Sequence, residues 1–443
     1  MIFLHPKGQT FQIVVLIGGL LGVTDSLLAQ PWTNTTLSAS QRAGLLLAQM
    51  TFSEKVTMLN GAGGSYVGNI PANTRLGIPP LNLNDGPAGV RLSDSSTTAL
   101  PAPIGIAASW DTTLARQYGA MMGAEARGKG IEVLLGPMMN MARSYQDGRT
   151  FEGFGESPEL AGAMAAADVN GIQSQEVIAT AKHFVCNDQE TSRMLITSDL
   201  DERTRQEIYY LPFLDSVHAG AGAVMASYNR VNTRYACEIE ALNATLRKQW
   251  GFNGLVMSDW GASFSTVAGM NNGLDMDMYT GNSYTSSGIN TAIQSGNAPS
   301  SALDGMVQRI LTTMFQFGVF DNPPAGNLSS TVTNAAHWQF ARNAAAQGMV
   351  LLQNNGGLLP LGSSVHKIAV IGSVASVSPV STGGGSASVN LPYNVTPLAG
   401  ITSRAGGGMT VSYAQGDGAS VSRAAQLATN SDMAIFCVGQ QTS

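Results

Sequence analysis

Apolar and polar positions divide the chain into four stretches. From Phe11 to Val23 it is predominantly apolar, a run too short to cross a bilayer as a helix. Ser40–Asn60 then predicts one amphipathic helix, with Leu46, Leu47, Met50, Val56 and Leu59 on its apolar side. From about Leu76 to Phe320, short apolar runs alternate with helical stretches. The strand candidates are Pro80–Leu83, Ile131–Gly136, Val177–His183, Ala223–Tyr228 and Leu255–Ser258. Alternation of this kind predicts parallel strands joined by crossover helices, and about eight such units close into a barrel.

A boundary falls at Asp321–Asn334, where Pro323, Pro324 and Gly326 stand among Ser, Thr and Asn. A second α/β pattern follows. It has a helix over His337–Gln353, strands over Lys367–Gly372, Thr410–Tyr413 and Met433–Gly439, a Gly/Ser loop over Gly383–Ser388, and a helix over Ser422–Asn430. Three strands are few for a parallel sheet, which needs both faces covered and its edges protected.

Composition narrows the partners. Charged residues are only 12% and the net charge is −6, without the clustered Lys and Arg that phosphate or a membrane surface requires. A neutral substrate fits, and neither nucleic acid nor a membrane is expected as a partner. Lys7 ahead of the apolar run gives the proportions of a signal peptide cut after Ala29, with a short anchor as the other reading. Four N-x-S/T sequons, at Asn34, Asn243, Asn327 and Asn394, agree with export and a secreted, glycosylated protein. The three cysteines, Cys186, Cys237 and Cys437, lack CxxC spacing, and the five histidines are scattered, so no metal or cofactor is expected.

The polar residues of interest stand just after strand candidates, which in a barrel is the face where active sites are built. Asp259 follows Leu255–Ser258 and precedes Trp260. It suits a nucleophile beside a stacking wall, or else an ordinary helix N-cap. Lys182 and His183 end another strand and suit donors to hydroxyls near a carboxylate, or else a satisfied buried pair. Asp85, in Asn84-Asp85-Gly86-Pro87, reads either as a turn or as an acceptor for vicinal hydroxyls. Arg149 offers a donor fork for hydroxyls, or pairs structurally with Glu152. Tyr228 ends a strand with a phenol, and Met225 nearby reads first as core. No G-x-S-x-G, P-loop, H-E-x-x-H or G-x-G-x-x-G pattern is present.

Taken together, NDGPAGVR (Asn84–Arg91), GRTFEGFGESP (Gly148–Pro158), AKHFVCNDQE (Ala181–Glu190), VMASYNRVN (Val224–Asn232), WGFNGLVMSDWGA (Trp250–Ala262) and GLDMDM (Gly273–Met278) resemble glycoside hydrolase family 3, β-glucosidase branch. AAAQGMVLLQNNGGLLPL (Ala344–Leu361) resembles the entry to that family's second domain. The resemblance implies a TIM-like (β/α)8 barrel followed by an incomplete α/β sandwich. The expected organisation is a signal peptide at 1–29, the barrel at 30–320, a linker at 321–343 and a truncated sandwich at 344–443. It implies Asp259 as the nucleophile of a retaining β-glucosidase acting on β-glucosides and cello-oligosaccharides. Asp85, Arg149, Lys182, His183, Tyr228, Trp260, Met225 and Ser386 would line the pocket. The acid/base Glu of the family would lie just beyond Ser443. One branch pairs a cysteine at the position of Ala226 with the one at 237, and that partner is missing here.

Three rivals remain. A β-N-acetylglucosaminidase would need a His in the loop after Phe184, and none stands there through Leu200. A β-xylosidase fits less well with the Asp85-Gly86-Pro87 turn. A non-catalytic sugar-binding protein would keep the pocket floor without turnover.

Overall fold

The computed structural model describes residues 30–93, 96–279 and 283–439. The expected signal segment at 1–29 lies outside them. Strands β1 (Asn60–Gly61), β2 (Gly68–Ile70), β3 (Leu81–Asp85), β4 (Val133–Leu135), β5 (Ile178–Phe184), β6 (Ala223–Ala226), β7 (Leu255–Ser258) and β8 (Asp277–Met278) line one curled wall. β3 to β7 pair in parallel, in chain order. A Met257–Met276 bridge carries the wall to β8, β8 pairs with β1, and an Ala62–Asn69 bridge brings it back to β2 and β3. These strands are buried on both faces except near β1 and β2, as expected for parallel strands covered by helices.

The alternation expected from sequence holds from β3 to β8. Helices Thr112–Gly128, Pro158–Gln173, Leu211–His218, Leu242–Gln249 (π-helical) and Thr266–Asn272 cross over between successive strands. At the start it fails. Only Ala62–Val67 separates β1 from β2, and a parallel crossover needs a dozen or more residues, so β2 runs antiparallel to β3. The single helix expected over Ser40–Asn60 is two, α1 (Ala39–Leu47) and α2 (Phe52–Met58). Thr51 ends the run by forming a capping box with Glu54, just as Ser38 does with Gln41.

The second body is a three-stranded parallel sheet, with β9 (Lys367–Ile371) between β10 (Thr410–Ala414) and β11 (Met433–Phe436). Its helices are Pro397–Ala405 and Val421–Thr429. The helix expected over His337–Gln353 runs Ala335–Gln347; it opens inside the expected linker, and its Ala344 joins the barrel core. The residues after Gly348 leave the helix, and Met349–Leu352 are exposed. Among the described residues no helix is long and apolar enough to cross a membrane.

Candidate active site

The C-terminal ends of β3 to β7 and the loops after them surround a cavity of about 950 Å³. All nine residues singled out from sequence line it: Asp85, Arg149, Lys182, His183, Met225, Tyr228, Asp259, Trp260 and Ser386. Ser386 reaches it from the Gly-rich turn of the second body, and the other eight come from the barrel. The β5–β6 pairing shifts register between Lys182 and Phe184. Two adjacent residues therefore both reach the cavity, although a regular strand would send one of them to the other face.

Asp259 is 6% exposed. Its backbone N–H donates to the Ala226 carbonyl at 2.9 Å, which pins the end of β7 to β6. Its Oδ1 accepts the Trp260 N–H at 2.8 Å, while Oδ2 has no hydrogen-bond partner among the described residues. The Nε2 of His183 lies 3.5 Å from Oδ2. Burial raises the Asp259 carboxyl above the ordinary aspartate range, and Arg149, the Trp260 N–H, Lys182 and the Tyr228 hydroxyl oppose that rise. Asp259 therefore has one tethered oxygen and one open to a ligand. The N-cap reading does not hold, because the helix that follows, Thr266–Asn272, is capped by Ser265.

The cations around it are held by other carboxylates. Arg149 donates from Nε and Nη2 to both oxygens of Glu152, each at 3.0 Å, and from Nη2 to Ser386 Oγ at 3.1 Å. The structural pair and the pocket position are thus the same arrangement. Burial would lower the Arg149 pKa, but Glu152 and Glu190 reverse that and raise it, so the guanidinium stays charged. Burial lowers the Lys182 pKa, and Asp85 works against it. Arg91 pairs with Asp85 at 3.0 Å. Arg193 pairs with Glu190 and lies 4.0 Å from the centre of the Tyr228 ring. The Trp260 indole N–H donates to the Val67 carbonyl at 3.3 Å, which fixes the wall. Among the described residues no group of three or more His, Cys, Asp and Glu is arranged to hold a metal.

Compared with known families, residues 43–313 match the glycosyl hydrolase family 3 N-terminal domain, and residues 349–443 match that family's C-terminal domain. The chain belongs to glycosyl hydrolase family 3. It is 38% identical over 445 residues to a probable beta-glucosidase L of Aspergillus terreus, across 92% of the chain and 60% of the relative. It is 40% identical to a beta-glucosidase of Rhizobium radiobacter, across 80% of the chain and 44% of the relative. Among solved structures it is similar to a beta-glucosidase from Streptomyces venezuelae in complex with D-glucose. There the TM-score is 0.81 and the identity 39%, covering 85% of this chain and 50% of that one. Beta-D-glucoside glucohydrolase from Trichoderma reesei gives a TM-score of 0.83 and 37% identity, with 92% and 60% covered. The chain thus spans 44 to 60% of the length of these relatives.

Family 3 membership makes the residues that sequence reading passed over more telling. Glu190 and Arg193 line the cavity from the loop after β5, and Tyr66 and Tyr279 close its other side. Arg91, at the end of the Asn84–Arg91 motif, lines it too. Asn140, one layer back, binds His183 at three points. Cys186, Cys237 and Cys437 are all free. The Cys237 sulfur lies 3.9 Å from the Ala226 carbonyl oxygen, consistent with the resemblance that paired positions 226 and 237.

Proposed function

We propose that this family 3 chain carries the glycosylating half of a retaining β-glucosidase acting on terminal non-reducing β-D-glucosyl residues. The observation that supports it is the open Oδ2 of Asp259, buried at the base of a cavity lined with hydroxyl-binding groups. In this reading Asp259 attacks the anomeric carbon. Its oxygen forms a bond to C1 as the bond from C1 to the leaving oxygen breaks, and the leaving oxygen takes a proton. Water then cleaves the ester, returning the carboxylate and releasing β-glucose. Lys182, Arg149 and Asp85 are placed to hold hydroxyls, and Trp260 to flank the ring.

Retaining chemistry wants a second carboxyl ~5–5.5 Å from the first. Among the described residues the other carboxylates lining the cavity are Asp85, Glu152 and Glu190, and each is held by an arginine. None is free to protonate a leaving group. We therefore read the described residues as a competent nucleophile with no second carboxyl free to act as the acid, which costs ~10²–10⁴-fold where protonation matters. A 2-fluoro-glucoside with a good leaving group tests this by mass spectrometry. An adduct on Asp259 supports the reading, whereas binding without an adduct supports the sugar-binding alternative. Activated aryl glucosides should turn over and cellobiose hardly at all; an aryl xyloside hydrolysed faster than its glucoside would favour the xylosidase.

The same reading includes secretion, cellulose breakdown and glycosylation. Asn34, Asn327 and Asn394 are exposed and accessible to glycan transfer, whereas Asn243 is half-buried in the Leu242–Gln249 helix. Intact-mass analysis after expression in a secreting host should show glycans at the first three.

A further inference from the structure

The Asn140 amide cannot be flipped. Its nitrogen donates to the His183 carbonyl at 3.0 Å, and its oxygen accepts the His183 backbone N–H at 2.9 Å. Exchanging the two atoms would set donor against donor and acceptor against acceptor. The same oxygen lies 2.9 Å from His183 Nδ1, and an oxygen already oriented as an acceptor requires a hydrogen on that nitrogen. The ring is 1% exposed, so burial disfavours a second proton, and the charges of Arg149, Lys182 and Arg193 add to that. Among the described residues Asp259 is the carboxylate facing its other nitrogen, and that nitrogen, Nε2, is 3.5 Å from the open Oδ2.

We propose that Asn140 is a positioning residue that locks His183 as the Nδ1–H tautomer, so that Nε2 meets the ligand as a hydrogen-bond acceptor and not as a donor. Two acceptors then face each other, and Nε2 is left to take its hydrogen from an incoming O–H. Nε2 recognises a hydroxyl by its hydrogen beside the attacking oxygen of Asp259, while Lys182 and Arg149 recognise hydroxyls by their oxygens. The site is therefore of mixed polarity, selecting a polyol ring over a carboxylate or phosphate. The identity of that hydroxyl as part of a glucoside rests on the glucosidase reading; the tautomer does not.

Long-range proton–nitrogen correlation on histidine-labelled protein at pH 7 tests it. The His183 signals are assigned by replacing the other four histidines singly. We expect a protonated Nδ1, an unprotonated Nε2, and movement of the Nε2 resonance towards lower frequency as D-glucose is added. A proton found on Nε2, or an Nε2 that does not respond while glucose binds, would overturn the assignment. Asn140→Ala should move the proton to Nε2, where it pairs with Asp259, and weaken glucose binding about tenfold, as the loss of one hydrogen bond implies. An unchanged tautomer in that variant would equally sink the lock. If Asn140→Ala does not fold, Asn140→Asp keeps the acceptor and should retain the Nδ1–H form. Lack of turnover on aryl glucosides defeats the glucosidase reading and leaves these spectra untouched.

Discussion

At the scale of single residues, the Asp259 carboxyl is caught between burial, which raises its pKa, and Arg149, which lowers it. A nucleophile works ionised, so the acid side of kcat/KM on an aryl glucoside should lie above that of an ordinary aspartate. Arg149→Met removes the largest opposing cation, so that edge should move to higher pH. A profile that keeps its position would refute the electrostatic account. The sign for stability follows from the same shift. A carboxyl whose pKa rises on folding favours the fold below its unfolded pKa and opposes it progressively as pH rises. Asp259→Asn should therefore abolish turnover and raise Tm at pH 7 relative to pH 4; a Tm lowered equally at both would count against it. Seven of the nine residues, all but Arg149 and Ser386, lie at or just after the ends of barrel strands, and those strand ends were legible from periodicity. Glu190, Arg193 and Asn140 were not legible. Their importance comes from partners on other loops, and nothing in an irregular loop announces a contact with a residue forty positions away.

At the scale of elements, two buried acids carry opposite expectations. Asp275, fully buried, accepts from Arg247 at 2.5 Å, from Arg309 at 2.8 Å and from the Val256 N–H at 2.8 Å. It ties the start of β7 to the helices Leu242–Gln249 and Ser300–Gln316. Removing one member of such a network strands the other charges, so Asp275→Ala should cost ~3–5 kcal/mol in denaturant unfolding. A loss below about 1 kcal/mol would show that the triad is not part of the scaffold. Asp168, in the helix Pro158–Gln173, packs against Gly119 with neither oxygen hydrogen-bonded among the described residues. Burial raises its carboxyl well above the usual range, so it opposes folding more as pH climbs from about 4. Asp168→Asn should raise Tm, and by more at pH 8 than at pH 5. A gain independent of pH would mean that the charge is not the cause. Helix identity was clear from sequence, and helix ends less so. Reading Ser40–Asn60 as one helix ignored the Thr51–Glu54 capping box, a local signal that overrides continuous apolar spacing. The expected regular barrel likewise missed the antiparallel β2, although the short Ala62–Val67 connection already excluded a crossover.

At the scale of the whole molecule, the barrel is stapled at its ends and joined to the second body by a few polar contacts. Arg42 reaches Asp321 with two hydrogen bonds, at 2.5 and 2.7 Å, and lies over the Phe315 ring, so the first helix and the last barrel helix hold each other. His337 meets the buried Glu125 at 2.7 Å, and Ser386 meets Arg149, so the second body bears on the cavity without sharing a large core. Its apolar residues are correspondingly uncovered. Met349, Val350, Leu351 and Leu352 are 77, 63, 63 and 91% exposed, and Phe436 and Val438 on the β11 side are 65 and 90% exposed. Exposed apolar surface of this kind drives association, and none of these side chains belongs to the barrel core. The 443-residue chain should therefore bind a hydrophobic dye and self-associate in a concentration-dependent way by light scattering. Val350→Asp combined with Leu352→Asp should reduce both signals and leave 2-fluoro-glucoside labelling of Asp259 at its original rate, because neither side chain lines the cavity. A monodisperse monomer before substitution would show that the strip is covered by the chain itself. Lost labelling in the double variant would show that the second body's surface and the cavity are one cooperative unit.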